Sequence, residues 1–270
     1  MSRSDSGRAT AHIGREEPAP AARDPAAQPR RRTAVCIVAS PRAQVGKTFV
    51  ARLLADFLRL EGNPVIGYDF NPPGDALRDY LPAFTAAGDI TDVRDQMALF
   101  DSLIVDDGIA KVVDLGHASF DRFFAIMRQI GFLREARRRS IEPIVLFAAD
   151  PHPLASKAYA DLQHRFQKAL IVPVFNEAIL KGQRLREQFP STRPAAVPLQ
   201  ISALAPMLKA QIDGARCSFV DVHDRLPAAI PIGLACDLRA WTRRNFLEFR
   251  ELELRLLLDK LRSSLPGVKL

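Results

Sequence analysis

The sequence predicts an α/β fold, a mostly parallel sheet flanked by helices on both faces. Short, continuous apolar runs of strand length recur along the chain, as in TAVCIVAS at 33–40 and EPIVLFAAD at 142–150. A strand buried on both faces needs such a run, whereas a half-solvated strand alternates apolar with polar. Between the runs lie longer segments whose apolar residues repeat at helical spacing. Strands and helices taking turns imply right-handed crossovers and a sheet covered on both sides.

TAVCIVAS is the first strand, and KTFVARLLADFLRLEG (47–62) is the helix that follows. In that helix Val50, Leu53, Leu54, Phe57 and Leu58 give the apolar stripe, and Gly62 gives the stop. NPVIGYDF (63–70) is the second strand, VRDQMALFDSLI (93–104) a helix and IAKVVDLG (109–116) the third strand. A long helix is expected over 120–139, then the strand EPIVLFAAD, a helix over 153–167 and the strand ALIVPVF at 169–175. Two more helices are expected, over 201–212 and 241–261. In such a sheet the ligand site lies at the carboxyl ends of the strands.

Residues 1–32 read differently. They are rich in Ala, Pro, Arg and Ser, with Ile13 the only large apolar side chain after Met1, so they form a disordered tail rather than part of a core. Residues 33–270 are read as one domain that includes the C-terminal helix. The tail carries a net charge of +3 of the chain's +7. This mild basicity permits contact with nucleic acid without requiring it, and Arg30–Arg32 are either a phosphate-touching run or a solubilising linker. The run REARRR at 134–139 ends a helix, where cations also complement the helix dipole. No run of eighteen apolar residues exists, so no membrane span is expected, and the first thirty residues lack the apolar core of a secretory signal. Cys36, Cys217 and Cys236 lie far apart, which fits a reduced cytoplasmic protein and neither a disulfide framework nor a thiolate metal site. His152, His164 and His223 show no zinc spacing.

The segment with the most chemistry in it is SPRAQVGKTFV, 40–50, between the first strand and its helix. Gly46, Lys47 and Thr48 complete the end of the pattern G-x-x-x-x-G-K-[ST], while Pro41 stands where its first glycine belongs. A tripeptide alone is a weak signal, but a buried strand before it and a helix after it supply the context the chemistry requires. Backbone N–H groups of Ala43, Gln44, Val45, Gly46, Lys47, Thr48 and Phe49 would wrap phosphates at the positive end of the helix. Lys47 would reach the terminal phosphates and the Thr48 hydroxyl would hold Mg²⁺. Asp114 ends an apolar strand, and there it either holds a Mg²⁺-bound water or caps the next turn.

PRAQVGKT, followed by a second strand ending YDFNPPGDAL, resembles the ParA/MinD family of deviant-Walker P-loop ATPases. The resemblance implies a P-loop NTPase fold that binds ATP and Mg²⁺, dimerises around the nucleotide and acts as a switch in positioning DNA or other cargo. The family loop reads K-G-G-x-G-K-T. Gly46, Lys47 and Thr48 match it, Ala43 and Gln44 replace its glycine pair, and Arg42 takes the place of the lysine that reaches the partner's nucleotide. In the family's D-x-D-P-Q-G segment, Asp69 matches the aspartate that helps hold the metal's water shell. Asn71 replaces the aspartate that orients the attacking water. An amide can position water but cannot accept a proton, so the resemblance implies binding with slow or impaired hydrolysis. Asn176 falls where relatives contact the adenine edge, and it is equally readable as a turn residue. The absence of N-K-x-D favours ATP over GTP. His117 reads as a loop residue.

The C-terminal helix carries Arg243, Arg244, Arg250, Arg255, Lys260 and Arg262, but Glu248, Glu251, Glu253 and Asp259 interrupt them. Packing on the domain or on a partner helix is the expectation, ahead of a membrane surface. Two rival functions stay open: a metabolic enzyme resembling dethiobiotin synthetase, on the echoes VGKT and GYDF, and a noncatalytic ATP-binding interaction module.

Overall fold

In the computed structural model, residues 33–72, 74, 76–221 and 231–264 are described. The tail reading for residues 1–32, its arginine run and His223 lie outside them.

Seven strands form one sheet, every pairing parallel, in the order β3-β2-β4-β1-β5-β6-β7. They are β1 (Val35–Ala39), β2 (Val65–Asp69), β3 (Thr85–Ala87), β4 (Ala110–Asp114), β5 (Ile144–Ala148), β6 (Leu170–Asn176) and β7 (Leu199–Ile201). The helices are α1 (Lys47–Leu60), α2 (Leu77–Tyr80), α3 (Val93–Leu103), α4 (Phe120–Gln129), α5 (Phe132–Arg138), α6 (Pro153–Arg165), α7 (Glu177–Leu180), α8 (Pro206–Ala215) and α9 (Ile232–Ser264). Arg32–Leu270 form one compact unit.

The period-2 geometry of a strand divides the core in two. Along β1, Cys36 and Val38 join α1, α2, α8 and α9 on one face, while Val35, Ile37 and Ala39 join α3, α4, α5 and α6 on the other. Covering both faces is why β1, β4, β5 and β6 are buried along their whole length. The chain lays β2, β3 and β4 to one side of β1 and then moves to the other side for β5, β6 and β7. That reversal opens a crevice at the carboxyl end of β1, the place where parallel α/β sheets bind ligands.

Several elements depart from the sequence reading. The expected helix over 120–139 breaks at Gly131, whose φ of 64 leads α4 into a separate α5. The segment 201–212 starts with the end of β7, and its helix begins at Pro206, which fits a first helical position and not a strand. Two three-residue strands, β3 and β7, complete the sheet edges. The C-terminal helix starts nine residues earlier than its apolar pattern suggests. No helix among the described residues is long and apolar enough to cross a membrane.

Helix α1 is covered nearly all round: every residue from Val50 to Leu58 is buried, Arg52 and Asp56 included. Buried charges survive only with partners. The Arg52 guanidinium donates to Asp213 Oδ1 at 2.9 Å and to the Cys217 carbonyl at 3.1 Å, and lies 3.5 Å from the centre of the Tyr80 ring. Asp56 accepts the Phe219 N–H at 2.6 Å and an Arg59 Nη1 bond at 3.2 Å. Burial pushes the Asp56 carboxyl above its ordinary range, opposed by its bonds to Ser218 and Phe219 and by the charges of Arg59 and Arg52. These contacts fasten α8 and the segment that follows it onto α1. Truncating Arg52 strands part of this network, so Arg52→Ala is expected to cost about 3 kcal/mol in urea unfolding. Arg138→Ala, which breaks only an exposed pair with Glu135, is expected to leave the unfolding midpoint in place.

Candidate functional site

The crevice holds a cavity of about 620 Å³ lined by Ala43, Gln44, Gly46, Lys47, Thr48 and Phe49 on one side and by Asn71, Pro72, Gly74, His117 and Asn176 on others. Its base is the loop from β1 into α1. Gly46 is the N-cap of α1 with φ 84 and ψ 21, and no side chain caps the helix, so its first N–H groups face the cavity. A Cβ on Gly46 would come within 2.6 Å of Asn176 Nδ2, so both the backbone angle and the close approach require glycine. Gln44 also has a positive φ, 58. Val45 is buried and Ala43 is exposed. Phe49 packs with ring-centre distances of 5.5 Å to Phe219 and 5.6 Å to Trp241, which ties the mouth of the loop to α9.

Lys47 is 5% exposed and donates to the Arg42 carbonyl at 2.6 Å, so the ammonium folds back over its own loop. Burial lowers its pKa, and the carboxylates of Asp114 and Asp150 counter that. Arg42 is paired in the same chain: its Nε lies 3.4 Å from Asp150 Oδ2, with the Arg42 side chain 40% exposed. Asp150 was not singled out in the sequence, although it ends an apolar strand run as Asp69 and Asp114 do. Its Oδ1 accepts the His152 N–H at 2.7 Å.

Asp69 and Asp114 are direct neighbours across β2 and β4, and both are fully buried. Asp114 Oδ2 accepts the Thr48 hydroxyl at 2.7 Å, while its Oδ1 is buried with no hydrogen-bond partner. Burial raises the Asp114 carboxyl to about 7. The nearby Asp69 charge adds to this, and the bond from Thr48, the Lys47 charge and Asn71 oppose it. An unpartnered buried carboxylate oxygen beside a threonine hydroxyl suits a hard cation that draws most of its ligands from water and phosphate. No cluster of three or more His, Cys, Asp or Glu side chains suited to a metal exists among the described residues. Mg²⁺ in a phosphate site needs only one or two protein oxygens, so the residues present fit it.

Asp69 has a different duty. Its Oδ1 accepts the Asn71 backbone N–H at 2.9 Å and Asn71 Nδ2 at 3.0 Å, and its Oδ2 accepts the Arg78 N–H at 3.0 Å. Asn71 Nδ2 also donates to the Asp114 carbonyl at 3.2 Å. The amide at 71 therefore bridges two acceptors, a position where an aspartate would face a carboxylate and a carbonyl. Gly116 lets this bridge form, because a Cβ there would meet the Phe70 carbonyl at 2.6 Å. Asn176 caps α7, its Oδ1 accepting the Ala178 N–H at 3.1 Å, and leaves its Nδ2 over Gly46. The far wall adds Arg52, Tyr80, Lys209 and Asp213, which no local pattern announces because their neighbours come from distant segments.

The basic run at 134–139 is largely engaged. Arg138 and Arg139 pair with Glu135, and Arg137 donates to the Lys168 carbonyl.

Asp114 makes the site sensitive to pH. Its folded-state pKa lies above the ordinary 3.8, so between about 4 and 7 the folded protein keeps a proton that the unfolded chain releases. Stability from this group is complete below about 4 and is lost as pH rises through about 7. Asp114→Asn is therefore expected to raise the unfolding free energy at pH 8 by about 1–3 kcal/mol, with the gain shrinking as pH falls and vanishing below about pH 4 in urea titrations.

A scan against protein-family models finds no matching family, and a search of curated proteins finds no match.

Proposed function

We propose that this chain is a divergent ParA/MinD-like P-loop ATPase that binds MgATP in the crevice and works as a nucleotide-dependent dimer switch, positioning or partitioning DNA or other cargo. The observation that carries the reading is the contact of Thr48 Oγ1 with Asp114 Oδ2 at 2.7 Å, beside a free Asp114 Oδ1. It places a hydroxyl and a carboxylate together at the uncapped start of α1, the combination that a metal-bound triphosphate needs. In this reading the backbone of 43–49 cradles the phosphates, and Lys47 leaves the Arg42 carbonyl to reach them. Thr48 and Asp114 hold Mg²⁺ directly or through water. The metal, when bound, would neutralise charge developing on the phosphates. Asp69 holds Asn71 and the Arg78 N–H in place for this and stands beside Asp114, where it would face the metal's water shell. Asn176 Nδ2 offers a donor at the wall of the cavity for a base edge or a phosphate oxygen.

Slow hydrolysis follows from Asn71. Its Nδ2 is committed to Asp69 and to the Asp114 carbonyl, and its side chain has no group able to take a proton from water. Arg42 is the cation available to a second protomer's nucleotide, once it separates from Asp150. The same placement favours a protein that holds ATP over one that turns it over quickly, which keeps the noncatalytic binding module as the second reading.

Equilibrium titration with a fluorescent ATP analogue tests the proposal. Wild type is expected to bind more tightly with Mg²⁺ than with EDTA, and Lys47→Ala to weaken binding by about tenfold or more. Equal affinity with and without Mg²⁺, or an unaffected Lys47→Ala variant, would contradict it.

A further inference from the structure

Helix α9 is apolar on two sides. One side, with Leu238, Trp241, Phe246, Phe249 and Leu252, is buried on the α1 face of the sheet. The other side faces solvent, and there Leu247, Leu254, Leu257, Leu258 and Leu261 are each between 52% and 61% exposed. Leu254, Leu257, Leu258 and Leu261 stand at i, i+3, i+4 and i+7, so they share one face. Leu247, Leu254 and Leu261 repeat every seven residues along the same stripe, the spacing of a helix–helix seam. Five exposed leucines present on the order of 500 Å² of apolar surface, near the top of what a monomer ordinarily leaves open.

The stripe continues into a groove between α1 and α9 lined by Leu60, Phe246 and Leu247 and edged by Arg239, Arg243 and Arg250. Leu60 is itself 60% exposed. The first half of α9 thus exposes Arg239, Arg243 and Arg244 with Asp237, and the leucine-rich second half exposes Arg250, which pairs with Glu61, together with Glu251 and Arg262.

From this layout we propose that the outer face of α9 is an interface with a second copy of this chain, the two helices packed antiparallel. Antiparallel pairing lays the leucine ridge of each copy in the other's groove, where arginine stems can cover leucine and Glu251 meets the basic half. Parallel pairing would instead align Arg239, Arg243 and Arg250 with their own copies, a repulsive arrangement. Two copies paired in this way would remove about 1,000 Å² from water, the lower bound of a stable specific interface. The contact is isologous, so by itself it closes as a dimer. The interface does not involve the crevice, so the proposal stands independently of the nucleotide reading.

Sedimentation velocity on the full chain without nucleotide tests it, with wild type compared against the double variant Leu254→Glu/Leu258→Glu. Lys47→Ala serves as a control for the crevice. Wild type and Lys47→Ala are expected to dimerise at micromolar concentration. The double variant should move the midpoint at least about thirtyfold upward while keeping the wild-type far-UV circular dichroism, as both leucines are already exposed. A wild-type chain that stays monomeric at tens of micromolar, or a dimer unaffected by the double variant, would overturn the proposal. Monomeric wild type that floats with phosphatidylserine vesicles, and loses flotation in the double variant, would overturn it in favour of a lipid surface.

Discussion

The hydrogen bond from the Thr48 hydroxyl to the Asp114 carboxylate, 2.7 Å long and partly buried, joins the first turn of α1 to the end of β4. Much of the crevice depends on it. Asp114 sits directly beside Asp69 on the neighbouring strand, and two adjacent buried carboxylates repel unless each is given donors. Thr48 supplies one donor to Asp114. Asn71 and the Arg78 N–H supply Asp69. What is left over is one unpartnered oxygen of Asp114 and the positive end of α1, an arrangement that is more favourable with a cation and an anion present than without them.

This constraint explains why the residue at 71 is an amide. Asn71 donates to a carboxylate and to a carbonyl at once, which no aspartate can do. The substitution that reads in the sequence as a lost catalytic group is, in the folded protein, the bridge between the β2 and β4 loops. In the proposed function, binding and hydrolysis are thereby separated: the residues that would hold a triphosphate come together, and position 71 offers no proton acceptor. The same α1 that starts at the crevice is fastened along its length by Arg52 and Asp56 to the segment before α9, and Phe49 packs on Trp241. The outer face of α9 and the crevice are therefore parts of one continuous packed body.

The strand–loop–helix unit at 35–60 was legible because it needs only local signals: an apolar run, a glycine, and helical spacing. The parallel sheet followed from alternation of such units. The edge strands β3 and β7 were not, since three residues carry no periodicity. The break at Gly131 was missed because the apolar spacing of 120–139 continues through it, and only a positive φ reveals the turn. At the site, Gly46, Lys47 and Thr48 were named from the loop pattern, Asp114 from its strand end, and Asp69 and Asn71 only from the family resemblance; the fold brings them together. The partners of Asn71, the pairing of Arg42 with Asp150, and the far wall formed by Arg52, Tyr80, Lys209 and Asp213 were not readable. Those contacts join segments as much as 161 residues apart, and nothing in either segment encodes the other.

The account turns on whether the uncapped start of α1 and its preceding loop receive the phosphates. Hydrogen exchange of the full chain, with and without MgATP, measures this at the backbone groups concerned. The amides of residues 43–49 are predicted to gain the largest protection, with a smaller gain near Asn71 and Asn176. No change at 43–49 under saturating MgATP, or protection confined to another part of the chain, would contradict the account.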